Sequence, residues 1–304
     1  MNSIKTAIVI VLTGLFFLSA CSAGMTETPG PTEASPTPQT PTPTPTLSPT
    51  PTAEPFTPEA HPVGIRTVDG AAEFFWRETG ETFILRGTNY IHIVRGESGR
   101  LQDRLMGTAD FDREVIRANF VRLRELGYNT VRIFLDGCNE GATCIARPDG
   151  PGLNPGYMDN VAEVMSIAKE AGMLVLFTSN DIPNGGGYAA ISDRDPSADP
   201  MVALYRNGQM LTPSGHEAYR TYWEDIMVAL VERRAAFDAV LAWQLFNEQW
   251  LFAEEPPLSL DEGIFTGPNE VAYDLSDPQQ KRDLVADALA QYIETVRAVI
   301  RDAD

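Results

Sequence analysis

Asn247 and Glu248 are the residues best placed to do chemistry, because they directly follow an almost wholly apolar run, 239–246. A short apolar run of this kind predicts a strand buried on both faces, as in a parallel sheet. Polar residues at the carboxyl end of such a strand lie where α/β folds bind ligands. Phe246 and Trp250 flank Glu248, and apolar surroundings raise the pKa of a carboxyl group. Glu248 is therefore predicted to be a general acid, with the Asn247 amide holding a substrate hydroxyl.

The alternative is that Asn247 and Glu248 simply open a loop, with Glu248 solvated, and the dipeptide alone does not decide the matter. Three earlier apolar segments also end in polar residues, and an amphipathic helical pattern follows each of the four. The strands are predicted at 86–90, 130–135, 173–178 and 240–247, and the helices at 111–126, 158–171, 217–237 and 277–300. Alternating strands and helices predict an α/β fold with a parallel sheet. No glycine-rich phosphate loop follows a strand, which disfavours a dinucleotide enzyme and favours a TIM-type barrel.

A hairpin is predicted before the first of these strands, with arms at 73–77 and 82–85 and with Gly80 in the turn. From this hairpin onwards the chain resembles the clan A glycoside hydrolases, most closely the family 5 cellulases and mannanases. The resemblance covers residues 73–303 and depends on four segments in order: LRGTNY, LGYNTVRIFLD, AGMLVLFTSND and LAWQLFNEQW. It implies a (β/α)8 barrel that cleaves β-linked polysaccharides with retention of configuration.

The resemblance also implies roles for individual residues. Glu248 matches the acid/base and Asn247 the neighbour that binds the sugar 2-hydroxyl. Arg132 matches an arginine that supports the nucleophile, although a buried structural ion pair is the alternative for an arginine in an apolar strand. Asn89 and Tyr90 match the sugar-binding end of the first strand.

Further sugar contacts are predicted less specifically. His92, near the end of the first strand, is either a sugar contact or a packed loop histidine. Trp250 is either a stacking platform for a sugar ring or part of a loop-anchoring core. Asn180 and Asp181 stand where many family members have a histidine, so no role is assigned to them.

The glutamate that serves family members as nucleophile follows the seventh strand, and nothing in this sequence corresponds to it. The sequence accounts for the first four β/α units of a barrel only. Either the chain is the front half of a longer gene product, which we favour, or it is a true half-barrel. A half-barrel exposes strand edges and an apolar interior that invite association. In both cases we expect the chain alone to be inactive.

Residues 1–20 are predicted to be a lipoprotein signal peptide, with Lys5 before a short apolar core and a lipobox-like LSAC that ends at Cys21. Cleavage near Ala23 is the alternative. Residues 21–60, rich in proline and threonine, are predicted to be a disordered tether. Residues 61–304 then form the half-barrel. The protein is therefore predicted to be exported, lipid-anchored to the bacterial cell membrane and facing outward.

The formal net charge of −19 argues against nucleic acid and anionic membrane surfaces as partners, so membrane contact is expected only through the lipid anchor. Cys138 and Cys144 are predicted to form a local disulfide, with two free thiols as the alternative. The sequence contains three histidines, none near these cysteines, so no metal or other cofactor is expected.

Two other functional classes remain. A lipid-anchored, non-catalytic carbohydrate-binding protein would fit the same residues. A solute-binding lipoprotein would need two α/β lobes joined by a hinge, and the sequence shows one continuous series of units.

Overall fold

The computed structural model describes residues 56–95, 99, 101–135, 144–179, 182–183, 185–192, 206–248 and 251–304. The predicted signal peptide, Cys21 and nearly all of the predicted tether lie outside these residues. Cys138, Asn180, Asp181 and Trp250 lie outside them as well. Their assignments stay predictions.

Ten strands, six α-helices and one short 3-10 helix (Phe237–Ala239) are described. In chain order they are β1 (Val63–Val68), β2 (Ala71–Trp76), β3 (Gly87–Asn89), β4 (Ile93–Arg95), β5 (Leu101–Asp103), α1 (Arg113–Glu125), β6 (Thr130–Leu135), α2 (Pro155–Ala171), β7 (Leu174–Ser179), α3 (Tyr188–Ile191), α4 (Arg206–Leu211), α5 (Pro213–Glu232), β8 (Val240–Gln244), β9 (Ile264–Thr266), β10 (Ala272–Asp274) and α6 (Pro278–Arg301). None of the helices among the described residues is long and apolar enough to cross a membrane.

The main sheet has four strands in the order β3-β6-β7-β8. All three pairings are parallel, with Gly87 opposite Thr130, Thr130 opposite Leu174, and Val175 opposite Val240. The predicted α/β class with a parallel sheet is therefore confirmed, and the four predicted strands are those of this sheet.

One face of the sheet is covered by helices and forms the core. In β6, Val131, Ile133 and Leu135 are fully buried, as are Val175 and Phe177 in β7. Because side chains alternate across a strand, the residues between them point to the other face, which carries Arg132 and Phe134 in β6. The covered face is thus apolar apart from the fully buried Ser179, and the opposite face carries Arg132 and its polar neighbours.

Sequence signals at the helix ends explain where the helices start and stop. The side chain of Asn154 accepts hydrogen bonds from the backbone of the first turn of α2, Pro155 follows it, and Gly172 ends this helix with a φ of 65°. Asp277 and Pro278 begin α6 in the same way, as predicted. The prediction for α5 was several residues too late at both ends, because Thr212 and Pro213 form its start.

The predicted hairpin is only partly correct. Its arms do meet, through a bridge between Phe75 and Thr82. The regular hairpin, however, pairs β1 with β2, with Asp69 and Gly70 in the turn at φ values of 50° and 80°. Asp-Gly with both residues at positive φ is a favoured two-residue hairpin turn, so the sequence did contain this signal.

The segment after β8 has a small core of its own. The β9–β10 hairpin packs against α4 and α6 through six buried residues: Leu211, Phe265, Tyr273, Leu275, Leu284 and Ala288. Asn207 in α4 holds the start of this segment, since its side chain bonds the backbone of Phe252 at 2.8 and 2.7 Å and the carbonyl of Glu255 at 3.0 Å.

The carboxylate of Asp304 joins the segment before β1 to the main sheet. Its Oδ1 lies 2.8 Å from Nε2 of His61, and its Oδ2 accepts a 2.9 Å hydrogen bond from the indole of Trp243 in β8. The hydrogen bond to Asp304 raises the pKa of His61 above its usual value, against the opposing effect of burial.

This pair predicts a pH-dependent contribution to stability. A raised pKa in the folded state stabilises the fold fully below the unfolded value of about 6.5, and the contribution is lost as the pH rises through the folded pKa. We expect Asp304→Asn, which keeps an acceptor for Trp243, to cost at most about 1 kcal/mol at pH about 6 and less at pH about 9. Urea unfolding at both pH values measures this. A cost that does not change with pH would contradict it, and His92→Gln, at an exposed position, serves as the control.

Candidate active site

Arg132 is the centre of a polar cluster on the uncovered face of the sheet. Its Nε donates to Oε1 of Gln244 at 2.9 Å, and its Nη2 donates to Oδ1 of Asn247 at 2.7 Å. Longer contacts of 3.4 Å join Nη1 to Oδ1 of Asn89 and Nη2 to Oγ1 of Thr178. The guanidinium therefore contacts a side chain from each of the other three strands of the sheet.

The strand register brings these side chains together. Asn89 lies opposite Arg132 in the β3–β6 pairing, and Thr178 lies opposite Gln244 in the β7–β8 pairing. The ring of Phe134, two residues along the same face of β6, has its centroid 4.4 Å from the guanidinium carbon. This distance fits a cation–π contact.

The electrostatics of Arg132 are those of a partly buried cation held by neutral oxygen atoms. Burial lowers its pKa from the ordinary value, and the nearby negative charge of Glu248 opposes that effect. Among the described residues, no carboxylate lies within ion-pair distance of the guanidinium. The alternative of a buried structural ion pair therefore finds no partner in the described part of the chain, and Arg132 instead faces the open side of the sheet.

Asn247 lies at the carboxyl end of β8, as predicted. Its backbone N–H donates to the carbonyl of Ser179 at 2.8 Å, which extends the pairing with β7 past the end of the strand. Because its side-chain oxygen accepts from Arg132, the amide nitrogen is the part of the side chain left to donate to a ligand. This arrangement suits the binding of a hydroxyl group.

Glu248 does not have the surroundings that the sequence analysis predicted. Its side chain is exposed. The ring of the half-buried Phe246 packs edge-on against Tyr219 at 6.1 Å, and Trp250 lies outside the described residues. The prediction that apolar neighbours enclose Glu248 is therefore wrong for the described part of the chain. The negative charge of Glu248 raises the pKa of Arg132, against the effect of burial.

The backbone at Glu248 is unusual. Its φ is 51°, in the left-handed region that residues other than glycine seldom adopt. Non-glycine residues in this region carry backbone strain and are enriched at functional sites. Two contacts hold the segment just before it: the Tyr292 hydroxyl of α6 donates to the carbonyl of Leu245 at 2.8 Å, and Phe246 packs against Tyr219 of α5.

Two further predicted contacts lie apart from the cluster. The ring of Tyr90 packs edge-on against Phe120 of α1, and its hydroxyl accepts a 2.9 Å hydrogen bond from Asn119. Tyr90 therefore belongs to the packing between sheet and helix, which contradicts its prediction as a sugar contact. His92 lies in the loop before β4 with an exposed side chain, and its backbone N–H donates to Asp103. His92 is therefore a loop histidine, as in the alternative to a sugar contact, but its ring is exposed instead of packed.

Sequence analysis missed Gln244 and Thr178, which bind Arg132 directly. Both are polar residues in largely apolar strands and, by the alternation of side chains, share the face of Arg132; Thr178 is fully buried there and Gln244 half-buried. That alternation is a signal that a residue belongs to the polar face. Cys144 is buried, and the predicted disulfide stays a prediction because Cys138 lies outside the described residues.

No protein-family model matches the chain, and no curated protein sequence matches it. Solved structures that match the chain include an exo-β-1,4-mannosidase from Opitutaceae bacterium strain TAV5, with 16% identity and a TM-score of 0.44. An endo-1,4-β-mannanase from Rhizomucor miehei has 12% identity and a TM-score of 0.46. Endo-glycoceramidase II from a Rhodococcus species has 16% identity and a TM-score of 0.43. The matches cover 78%, 75% and 74% of this chain, and 34%, 56% and 48% of those proteins. The chain thus spans between a third and three fifths of the length of each.

We expect Arg132 to contribute to stability, because several N–H groups of its guanidinium donate hydrogen bonds at once. We expect Arg132→Met to lower the free energy of unfolding by about 1–3 kcal/mol, because the oxygen atoms of Gln244 and Asn247 lose their charged donor. Arg132→Lys should recover little of this loss, since one ammonium cannot reach acceptors on three strands. Urea unfolding measures both. Arg122→Met, which removes an exposed arginine of α1 paired with Glu125, is the control and should cost well under 1 kcal/mol. Equal losses at the two positions would contradict the role of the cluster.

Proposed function

We propose that the chain carries the acid/base half of a glycoside hydrolase site, which acts on O-glycosidic bonds of β-linked poly- or oligosaccharides. The observation that supports this most is the cluster around Arg132 at the carboxyl ends of a parallel sheet, with Asn247 and Glu248 at its rim. Ligands of α/β folds bind at this end of the strands. The resemblance in sequence assigns the same residues to sugar binding and acid/base catalysis.

The proposed roles follow from the chemistry of glycoside cleavage. Glu248 protonates the departing oxygen of the glycosidic bond, and later removes a proton from the attacking water. Asn247 donates from its amide nitrogen to a sugar hydroxyl next to the reacting carbon. Asn89, exposed at the end of β3, offers a further polar contact to the same sugar. No cofactor enters this mechanism.

A retaining mechanism also needs a second carboxylate, about 5–5.5 Å from the first, that attacks the sugar. None of the described residues supplies such a group beside Arg132 and Glu248. Arg132 is placed to support a nucleophile because it is a cation with neutral partners only. We therefore propose that the active site is that of a complete (β/α)8 barrel, and that this chain alone is inactive.

The exposure of Glu248 agrees with that proposal. A general acid for neutral pH needs surroundings that disfavour its charged form, and an exposed carboxylate in water does not have them. In a closed barrel, the remaining strands would cover the polar face of the sheet and exclude water from Glu248. The apolar enclosure inferred from the sequence is then a property of the closed barrel.

The second candidate is a non-catalytic carbohydrate-binding protein. The same exposure of Glu248 favours it, because a binding surface needs hydroxyl-binding groups and no enclosed acid. For both candidates we propose export, lipidation at Cys21 and an outward-facing position on the bacterial membrane, with a disulfide between Cys138 and Cys144.

Saccharide binding separates the roles of the two residues at the rim. We expect Asn247→Ala to weaken the binding of a β-1,4-linked oligosaccharide about tenfold, because one hydrogen bond and its positioning by Arg132 are lost. Glu248→Ala should change binding by less than about threefold. Calorimetric titration measures both, with Asn269→Ala, in the β9–β10 turn, as the control. Unchanged binding in Asn247→Ala would contradict the proposed sugar contact.

Turnover tests the proposed inactivity. We expect no hydrolysis of aryl β-glycosides or β-1,4-linked oligosaccharides by the purified chain above the level of Glu248→Gln. Release of reducing ends, followed over days at neutral pH, is the measurement. Hydrolysis that Glu248→Gln abolishes would show that the chain holds a complete catalytic pair and would refute the proposal.

A further inference from the structure

Gln244, the last residue of β8, uses both ends of its side-chain amide inside the polar cluster. Its Oε1 accepts from Nε of Arg132 at 2.9 Å, and its Nε2 donates to the carbonyl of Phe246 at 3.0 Å. The first bond holds the guanidinium, and the second holds the backbone one residue before Asn247. Gln244 therefore links the central cation of the cluster to the segment that carries the candidate site residues.

The two partners of Gln244 require opposite hydrogen-bonding groups. A guanidinium only donates and a backbone carbonyl only accepts, so the side chain between them must accept at one end and donate at the other. A primary amide does both and stays neutral. A glutamate of the same length would accept at both ends, so it would face the Phe246 carbonyl with a second oxygen atom. A methionine offers no donor and only a weak acceptor.

The guanidinium transmits this constraint to Asn247. Nε and Nη2 of Arg132 lie on one edge of a planar, rigid group. Gln244 accepts from Nε, and Oδ1 of Asn247 accepts from Nη2 at 2.7 Å. While Gln244 holds Nε, the plane cannot rotate without moving Nη2 away from Asn247. The direction of the Asn247 amide therefore depends on Gln244, although the two side chains do not bond to each other.

The backbone just before Glu248 is held at three successive residues. The carbonyl of Leu245 accepts from α6, and the N–H of Asn247 donates to β7, both at 2.8 Å. The carbonyl between them belongs to Phe246 and accepts from Gln244. Glu248 follows with a φ of 51°, and a non-glycine residue keeps such a conformation only where the surrounding contacts impose it.

We propose that Gln244 is the positioning residue of the site. It ties the guanidinium of Arg132 to the Phe246 carbonyl, and thereby points the Asn247 amide towards a sugar hydroxyl. Because the amide is neutral, it orients Arg132 without neutralising the cation. The functional part of this inference rests on the proposed glycoside chemistry, whereas the positioning of Arg132 and Asn247 does not.

NMR of the 15N-labelled chain tests the step from Gln244 to Arg132. The Nε–H signal of Arg132 is assigned by its loss in Arg132→Lys. We expect Gln244→Met to speed the exchange of this proton with water at least about tenfold, because the acceptor for Nε is lost. Gln244→Glu keeps an oxygen atom for Nε and should leave exchange slow. Slow exchange in Gln244→Met, or fast exchange in the unsubstituted chain or in Gln244→Glu, would overturn the proposal.

Gln279→Met is the matched control. In α6, Gln279 also accepts from an arginine, Arg282, at 3.2 Å, and its amide donates to the carboxylate of Asp283 at 2.8 Å. The same substitution at this exposed position should leave the Arg132 signal unchanged. Backbone spectra report whether each variant is folded. If Gln244→Met does not fold, Gln244→Asn replaces it, since its amide is one methylene too short to reach both partners and should speed exchange in the same way.

The step from Gln244 to Asn247 is read from the side-chain amide signals of Asn247, assigned by their loss in Asn247→Ala. We expect these signals to shift in Gln244→Met and to keep their positions in Gln279→Met. This measurement needs no sugar. Asn247 signals that do not respond to Gln244→Met would show that the two side chains are uncoupled, and the proposal would fall.

Saccharide binding connects the positioning to the proposed function. We expect Gln244→Met to weaken the binding of a β-1,4-linked oligosaccharide at least about threefold, measured by calorimetric titration. Combined with Asn247→Ala, it should weaken binding by less than about twofold beyond Asn247→Ala alone, because both changes remove the same contact. Losses that add would mean that Gln244 acts independently of Asn247, against the proposal. An unsubstituted chain that binds no oligosaccharide would refute the proposed function, while the NMR signals still decide whether Gln244 positions Arg132 and Asn247.

Discussion

The contacts of the Arg132 guanidinium are the interaction on which the site depends. Partly burying a cation is costly unless its donors are satisfied, and here the satisfying oxygen atoms come from β3, β7, β8 and from Asn247, three residues past the end of β8. The cluster therefore couples strand register to site geometry. A slip of one residue in β6 would turn Arg132 towards the helices and Val131 towards the polar face. The same contacts that fix the pairing of the strands also fix the direction of the Asn247 amide.

The two faces of the sheet have different physical tasks. The helix-covered face is apolar and supplies the stability of the fold, through residues such as Ile133 and Phe177 that are fully buried. The other face buries less apolar surface and carries polar groups, which meet at the carboxyl ends of the strands. Glu248 is exposed beside this second face, and its surroundings depend on what covers the face.

The sequence was sufficient for those features that depend on short-range patterns. The apolar runs that end at Leu135 and Asn247 identified the strands, and Asp277 with Pro278 identified the start of α6. Sequence reasoning failed where side-chain direction or enclosure decides the outcome. Tyr90 follows Asn89 directly, and the alternation of a strand sends it to α1 instead of to the site. The surroundings of Glu248 depend on contacts distant in sequence, which flanking residues such as Phe246 do not reveal.

The hydrogen bonds around Arg132 also decide what enclosure would add. Asn247, Gln244 and the guanidinium are already held in place by these hydrogen bonds, so covering the polar face need not reorganise them. Its effect would be on the dielectric: interactions between charges strengthen as water is excluded. The attraction between Arg132 and Glu248 would then favour the carboxylate, whereas burial of Glu248 itself would favour the protonated acid. Burial would outweigh the attraction of Arg132 only if another group neutralised the charge of Arg132. A second carboxylate is such a group. If the chain carries the proposed glycosidase chemistry, the nucleophile that this chemistry requires and the counter-charge that Arg132 requires would therefore be the same carboxylate.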